Sequence, residues 1–414
     1  MKVWIKYLLG VILGIVAYFI LPMNIPAVSL AVENCSEFAI RFGRYSLMPI
    51  LFFGTTFAVF KLRSQKLLLK ASFWTILAIV FSTVILIFLG LFSLGVIKFF
   101  DVNLPRIPIT GERMAETPAI NVKELFMNLV PYSSFDSLKD GVYLLPVFLF
   151  AGFAGAGCAV DTASSKPVIT LLESLAKLCY TLSSFIVEWI AVGMIAISSY
   201  WLISLKAFTE AKIFMPMTVL LLVDLILFIF LICPILIKVF CKDSRPYRVL
   251  YAGISPLLAA FFSRDTNFVL QVNMRHGKES LGINDSLNHY TYPLFAIFGR
   301  GGTALVITVC FVTILRSYSP LAFSMGNITW LFLSAFGVSF ILCALPAGGT
   351  FVALAVLCTM YGKGFESGYI LMRPAIPVLA SFACAFDAAA AAYGSYFTAM
   401  KCKMIEHVEL RHFI

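Results

Sequence analysis

GISPLLAAFFSRDTNFVLQVNMR, residues 253–275, has apolar arms on either side of the polar run Ser263 to Asn267. At roughly 1.5 Å per residue each arm is too short to cross a bilayer core of roughly 30 Å. A helical hairpin that enters and leaves on one side of a membrane is the expected form. FGVSFILCALPAGGTFVALAVL, residues 336–357, has the same shape, with Pro346, Gly348 and Gly349 breaking the helix at its centre. Backbone without helical hydrogen bonds is tolerated at membrane depth only where it lines a cavity. Two such segments in the second half of a membrane chain point to a transporter's midplane site. Two ordinary helices kinked for packing are the simpler reading of the same residues.

The composition requires a membrane setting. The 414 residues are 61% hydrophobic and 13% charged, with a mean hydropathy of +0.95, whereas soluble domains carry about a quarter charged residues. Apolar segments lie near 5–22, 45–60, 71–100, 141–160, 176–205, 214–240, 287–315 and 368–400, with the interrupted stretches 243–275 and 328–362 flanking the seventh. A polytopic helical bundle follows. Barrel strands would alternate in polarity and are excluded. No small-residue cleavage motif follows the first segment, so it reads as a membrane helix and not as a signal peptide.

The net charge of +10 does not signal nucleic acid, because the cations sit at the ends of apolar runs. Lys2 and Lys6 precede the first run. Lys61, Arg63, Lys66 and Lys70 follow the second, and Lys238, Lys242, Arg245 and Arg248 follow the sixth. These clusters place the N-terminus and every even-numbered exit in the cytoplasm. The stretch from Asp101 to Lys139 mixes both signs and reads as an external loop. Ten cysteines show no paired spacing, and His276, His289, His407 and His412 lack HxxxH or cysteine partners. Neither a catalytic set nor a metal or cofactor site is supported.

Several motifs resemble one family, the dicarboxylate/amino-acid:cation symporters that include glutamate transporters. LMPILFF at Leu47 resembles its second-helix motif, and NLVPYSSFDSLKDG at Asn128 its NLVP signature. SRDTNFVLQVNMRHGKESLG at Ser263 resembles its first re-entrant hairpin, and FGRGGTALV at Phe298 stands in the place of its NMDGTA motif. ALPAGGTFVAL at Ala344 resembles the second hairpin's VPGAG tip, and MIEH at Met404 the end of the eighth helix. The resemblance implies an all-α fold of eight transmembrane helices with two opposed hairpins, working as a homotrimer with elevator-like alternating access. It assigns residues 1–240 to six helices that supply the trimerisation scaffold and part of the transport unit. Residues 241–414 supply hairpin 1, helix 7, hairpin 2 and helix 8, the core of the transport domain.

The functional residues depart from that pattern. The family's eighth helix carries two aspartates four apart, then in many members an arginine, then an asparagine and a third aspartate. Anchoring on MIEH puts Asp387, in AFDAAAAAYGSYF, at the second aspartate, which in the family holds the substrate's amino group. The other positions then fall on Ala383, Ala390, Gly394 and Thr398. A competing register sets Asp387 at the first aspartate. In the seventh helix Gly299 and Gly301 replace the motif's Asn and Asp, and Arg300 replaces its Met. Most side-chain oxygens of the family's sodium sites are thereby lost, and a hard cation needs several. Ser82 and Thr83 align with ion-site hydroxyls, which also suits a helix-packing face.

Arg264, Asp265, Arg300 and Asp387 are ionisable groups at membrane depth, and such groups are functional hypotheses by default. With Thr266, Asn267, Ala347, Gly348, Thr303 and Gly394 they form the expected substrate site, in which Asp265 would repel a substrate carboxylate unless Arg264 offsets it. Arg300 would stand in place of sodium, leaving transport ion-independent or proton-linked through Asp387. A buried Arg300–Asp387 salt bridge that only locks packing is the alternative for that pair. Ala390 in place of arginine argues for a neutral amino acid, with a cationic or non-amino-acid solute still open. Asp224 and Glu188 are each alone in a helix and are assigned no role. The expected protein is a multi-pass carrier in a bacterial plasma membrane, in contact with lipid and a small solute. A transport-deficient anion channel or solute sensor is the alternative.

Overall fold

The computed structural model describes residues 2–99, 143–210, 214–243, 245–318, 325–344, 349–362 and 368–414, with the single positions 127, 133 and 138. The NLVP signature, most of the 101–139 loop, and Pro346, Ala347 and Gly348 lie outside the described residues. Everything described is helix, turn or connection, apart from one isolated antiparallel bridge between Ile283 and Ile405.

Helix α1 (Val3–Ile20) precedes α2 (Pro26–Arg44), which starts on a proline at its first turn and ends in Arg41 and Arg44. Leu47–Pro49 and a π-helical turn at Ile50–Gly54 lead into α3 (Thr55–Ser64), and α4 (Leu68–Phe99) follows. Next come α5 (Leu144–Cys158) and the long α6 (Lys166–Glu210). The sixth apolar segment is α7 (Met215–Leu227), a π turn at Phe228–Ile232 and α8 (Cys233–Cys241). Seven helical stretches are long and apolar enough to cross a membrane, among the described residues. α5, at 15 residues, falls below that length.

Each interrupted segment forms two helices that pack against each other, the centre of the second lying outside the described residues. α9 (Tyr247–Ser263) and α10 (Thr266–Glu279) pack against each other as the arms of a hairpin, about 25 and 21 Å long at 1.5 Å per residue. Arg264 closes α9 in the left-handed region at φ +58°, where Lys242 and Lys403 also close helices. Such a conformation costs about 1–2 kcal/mol for a residue with a Cβ. In the second hairpin, α13 (Met325–Ile341) packs against α14 (Thr350–Tyr361).

Between the hairpins run α11 (Asp285–Phe298) and α12 (Gly301–Tyr318), and the chain ends in α15 (Ile376–Cys402). In the most apolar 18-residue window of Asp285–Leu315 and of Ile376–Cys402, 89% is buried, against 28% for Val3–Ile20, so these two run through the centre of the bundle. α12 packs between α4 and α15. Lys2 Nζ donates to Leu410 O at 3.2 Å and to Tyr251 Oη at 3.0 Å, so both ends of the chain share the face where the first hairpin begins.

Two glycines open α12. A Cβ on Gly301 would lie 2.8 Å from Thr83 Cα, and one on Gly302 would lie 2.3 Å from Phe386 Cβ and 2.6 Å from Ala383 O. The two glycines thus let the start of α12 come close to α4 and α15. Gly302→Ala is expected to destabilise by about 1–3 kcal/mol through overpacking, visible as a lower melting temperature in detergent. An unchanged melting temperature would show that α12 and α15 are farther apart than this.

Candidate functional site

The site lies where helix ends meet. α11 stops at Phe298, and Gly299 and Arg300 turn the chain into α12. The N-terminus of α12 points at α15, where the Asp387 carboxylate receives it. Oδ1 accepts from Gly302 N at 2.7 Å and Oδ2 from Thr303 Oγ1 at 3.1 Å. A carboxylate is favoured there by the unpaired N–H groups and the positive end of the helix dipole. Asp387 is 5% exposed and Arg300 7%.

Arg300 does not form an ion pair with Asp387. Its guanidinium donates instead to Thr266 Oγ1, on the first turn of α10. Its Nε is buried with no protein partner, as is Asn273 Oδ1. Both residues line a cavity of about 20 Å³ with Thr266, Tyr292, Gly299 and Asp387, room for one water-sized group. The 3₁₀ turn Leu342–Ala344, leading to the tip of the second hairpin, packs against α11. Ala347 and Gly348, named from the sequence, are outside the described residues.

The first hairpin's tip is occupied differently from the sequence expectation. Asp265 caps α10, its Oδ1 accepting from Asn267 N at 2.8 Å and Phe268 N at 3.2 Å. Its Oδ2 meets Arg44 at the end of α2, 3.1 Å away. Arg264 does not supply the balancing charge; its guanidinium lies over the Tyr200 ring of α6, 5.7 Å from the centroid. Asn267 is buried, with Oδ1 unpartnered. Asp265→Asn is expected to keep the cap and lose the Arg44 pair at under about 1 kcal/mol, because Arg44 is partly exposed. Asp265→Ala loses the cap as well, about 1 kcal/mol more. Equal melting temperatures for the two variants would show that the cap contributes nothing.

Further polar contacts continue down α10. Gln271 Oε1 accepts from Ser46 Oγ at 3.0 Å and Ser183 Oγ at 2.9 Å. Arg275 donates to Ser184 O at 2.9 Å and pairs with Glu188 at 2.7 Å, and Glu279 accepts from Tyr180 Oη at 2.8 Å. Lys6 of α1 also pairs with Glu188. Glu188 is therefore part of an ionic cluster and not an isolated acid. Gln271, Arg275 and Glu279, four residues apart, share a helix face, and that spacing was the available signal. Asp224 accepts from Ser93 Oγ of α4 at 3.0 Å.

Gly394 packs on the Phe295 ring, where a Cβ would lie 2.1 Å from Cζ. With Ala390 it also borders an apolar groove shared with Trp74, Phe81 and Phe240. Ser82 Oγ donates to Ile79 O at 3.0 Å, and Thr398 Oγ1 to Gly394 O at 3.0 Å, both within their own helices. Thr83 Oγ1, beside Gly301, is buried without a partner. His276 and His289 are buried with unpartnered ring nitrogens. Among the described residues no three His, Cys, Asp or Glu side chains group as a metal site.

Buried polar groups gathered where helix ends meet inside an apolar helical bundle are the kind of site expected of a membrane carrier. The model of the sodium:dicarboxylate symporter family matches residues 1–400, and the chain belongs to that family. It is similar to a proton/sodium-glutamate symport protein of Geobacillus stearothermophilus, 21% identical over 373 residues, covering 87% of this chain and 84% of the relative. The protein of the same description from Bacillus caldotenax is 22% identical over 328 residues, covering 77% and 74%. The chain is thus a multi-pass integral membrane protein of a symporter family, and the family is one of transporters and not of enzymes.

Proposed function

We propose that the protein is a secondary active transporter of a small amino acid or related solute in a bacterial plasma membrane, and that it works without sodium at the family's usual sites. The observation that carries this reading is Arg300, a cation buried among helix ends at Gly299–Gly301, where the family motif has oxygen ligands. A fixed guanidinium replaces the charge of an ion there, and Thr266 ties it to the first hairpin. Coupling is then absent or carried by a proton on Asp387.

The substrate is read from the same residues. Asp387 offers a partner for an ammonium group. Asp265 is engaged by Arg44 and by the α10 N-terminus, which lessens its repulsion of a substrate carboxylate. A neutral amino acid suits both, and Arg264, Thr266, Asn267, Arg300, Thr303, Asp387 and Gly394 are proposed as its surroundings, with Ala347 and Gly348 at the second hairpin's tip.

Residues 241–414 are proposed to move as the core of the transport unit, with residues 1–240 supplying the trimeric scaffold and the rest of the transport unit. In such an elevator, the polar seam of α10 on α2 and α6 is what parts with each cycle. A stabilisation screen across neutral, acidic and basic amino acids, dicarboxylates and cations, followed by uptake into proteoliposomes, tests the function. Neutral amino acids are expected to raise the melting temperature and to accumulate. Current without accumulation would identify an anion channel, and binding without either a sensor.

A further inference from the structure

We propose that a basic pocket at the start of the first hairpin binds the phosphate headgroup of an anionic phospholipid. The pocket, about 850 Å³, lies where α8 ends, α9 begins and the two ends of the chain meet. Five cations line it, Lys2, Lys238, Arg245, Arg248 and Arg411, and no acidic residue does. Of these five, Arg411 alone has an acidic side-chain partner among the described residues, Glu409.

Two of the cations are fixed by neutral groups. Lys2 donates to Tyr251 Oη and Leu410 O, and Arg248 donates to Val408 O and lies over the Phe413 ring, 5.6 Å from its centroid. Their positions are set while their charge is left unbalanced. Lys238 and Arg245 are exposed and have no side-chain hydrogen bond or ion pair among the described residues. Like charges held together repel, and a phosphate with several acceptor oxygens relieves that repulsion.

The pocket's wall decides between a lipid and a soluble anion. Ile235 and Tyr247 line it and are themselves exposed, and Val239 and Phe240 continue the apolar surface along α8. A ligand with a charged head and apolar tails matches both halves, as basic pockets between membrane helices do on the cytoplasmic side. The lysine and arginine clusters assign this face to the cytoplasm. A bound headgroup would tie the N-terminus, the exit of α8 and the C-terminal tail to the entry of the moving hairpin.

Delipidated full-length protein, titrated with phosphatidylglycerol or phosphatidylcholine and read by native mass spectrometry, tests this. Phosphatidylglycerol is expected to be retained roughly tenfold more strongly, and Lys238→Gln with Arg245→Gln to remove most of that preference. Neither side chain has an internal partner among the described residues, so the variant should keep its melting temperature in lipid-free detergent; Lys238→Gln alone serves if it does not. Equal retention of the two lipids, or an undiminished preference in the variant, would overturn the proposal. So would stabilisation by inorganic phosphate equal to that by phosphatidylglycerol, which would mark a soluble-anion site.

Discussion

Asp387→Ala is expected to abolish uptake and to lower the stability of the folded protein by about 3–5 kcal/mol, as removing one member of a buried charge set does. The variant would leave Gly302 N and Thr303 Oγ1 without their acceptors and the Arg300 charge without its counterweight. Asp387→Asn keeps an acceptor for the α12 N-terminus and should recover about 1–2 kcal/mol of that loss without recovering transport. Thermal unfolding in detergent with proteoliposome uptake separates the two effects. Full uptake by Asp387→Ala would remove the residue from the mechanism.

Arg300→Met puts the family motif's residue back at that position and is expected to be as damaging. It leaves Asp387 as a buried anion with no cation near it, at about 3–5 kcal/mol, and takes from Thr266 Oγ1 its donor. The double variant Arg300→Met with Asp387→Leu should be more stable than the two single losses add up to, with a coupling of about 0.5–3 kcal/mol. Its uptake should still be absent. Restored uptake in the double variant would mean that the two charges only hold the helices together.

The first hairpin, and the two arms of the second, were legible because their signals are local. A polar run or a Pro-Gly pair inside an apolar stretch breaks a helix wherever the stretch lies. α2 was not anticipated: it carries Glu33, Glu37, Arg41 and Arg44 between apolar residues, so no apolar run marks it. The site was half legible. Four charges at membrane depth were readable as a set, but which of them meet was not. Asp265 finds Arg44 across 221 positions and leaves its neighbour Arg264 to an aromatic ring. Arg300 and Asp387, opposite in sign and both buried, turn to Thr266 and to a helix N-terminus and not to each other. Glu188 was legible only as a lone acid, since Lys6 and Arg275 reach it from other helices. The paired Gly301 and Gly302 were the one local sign that another helix comes close at the start of α12.

Uptake of a stabilising amino acid into proteoliposomes, with an inward sodium gradient and with choline replacing sodium on both sides, bears most directly on the role given to Arg300. Equal accumulation under the two conditions, or accumulation that follows a proton gradient alone, is the predicted result. Strict dependence on the sodium gradient would contradict it.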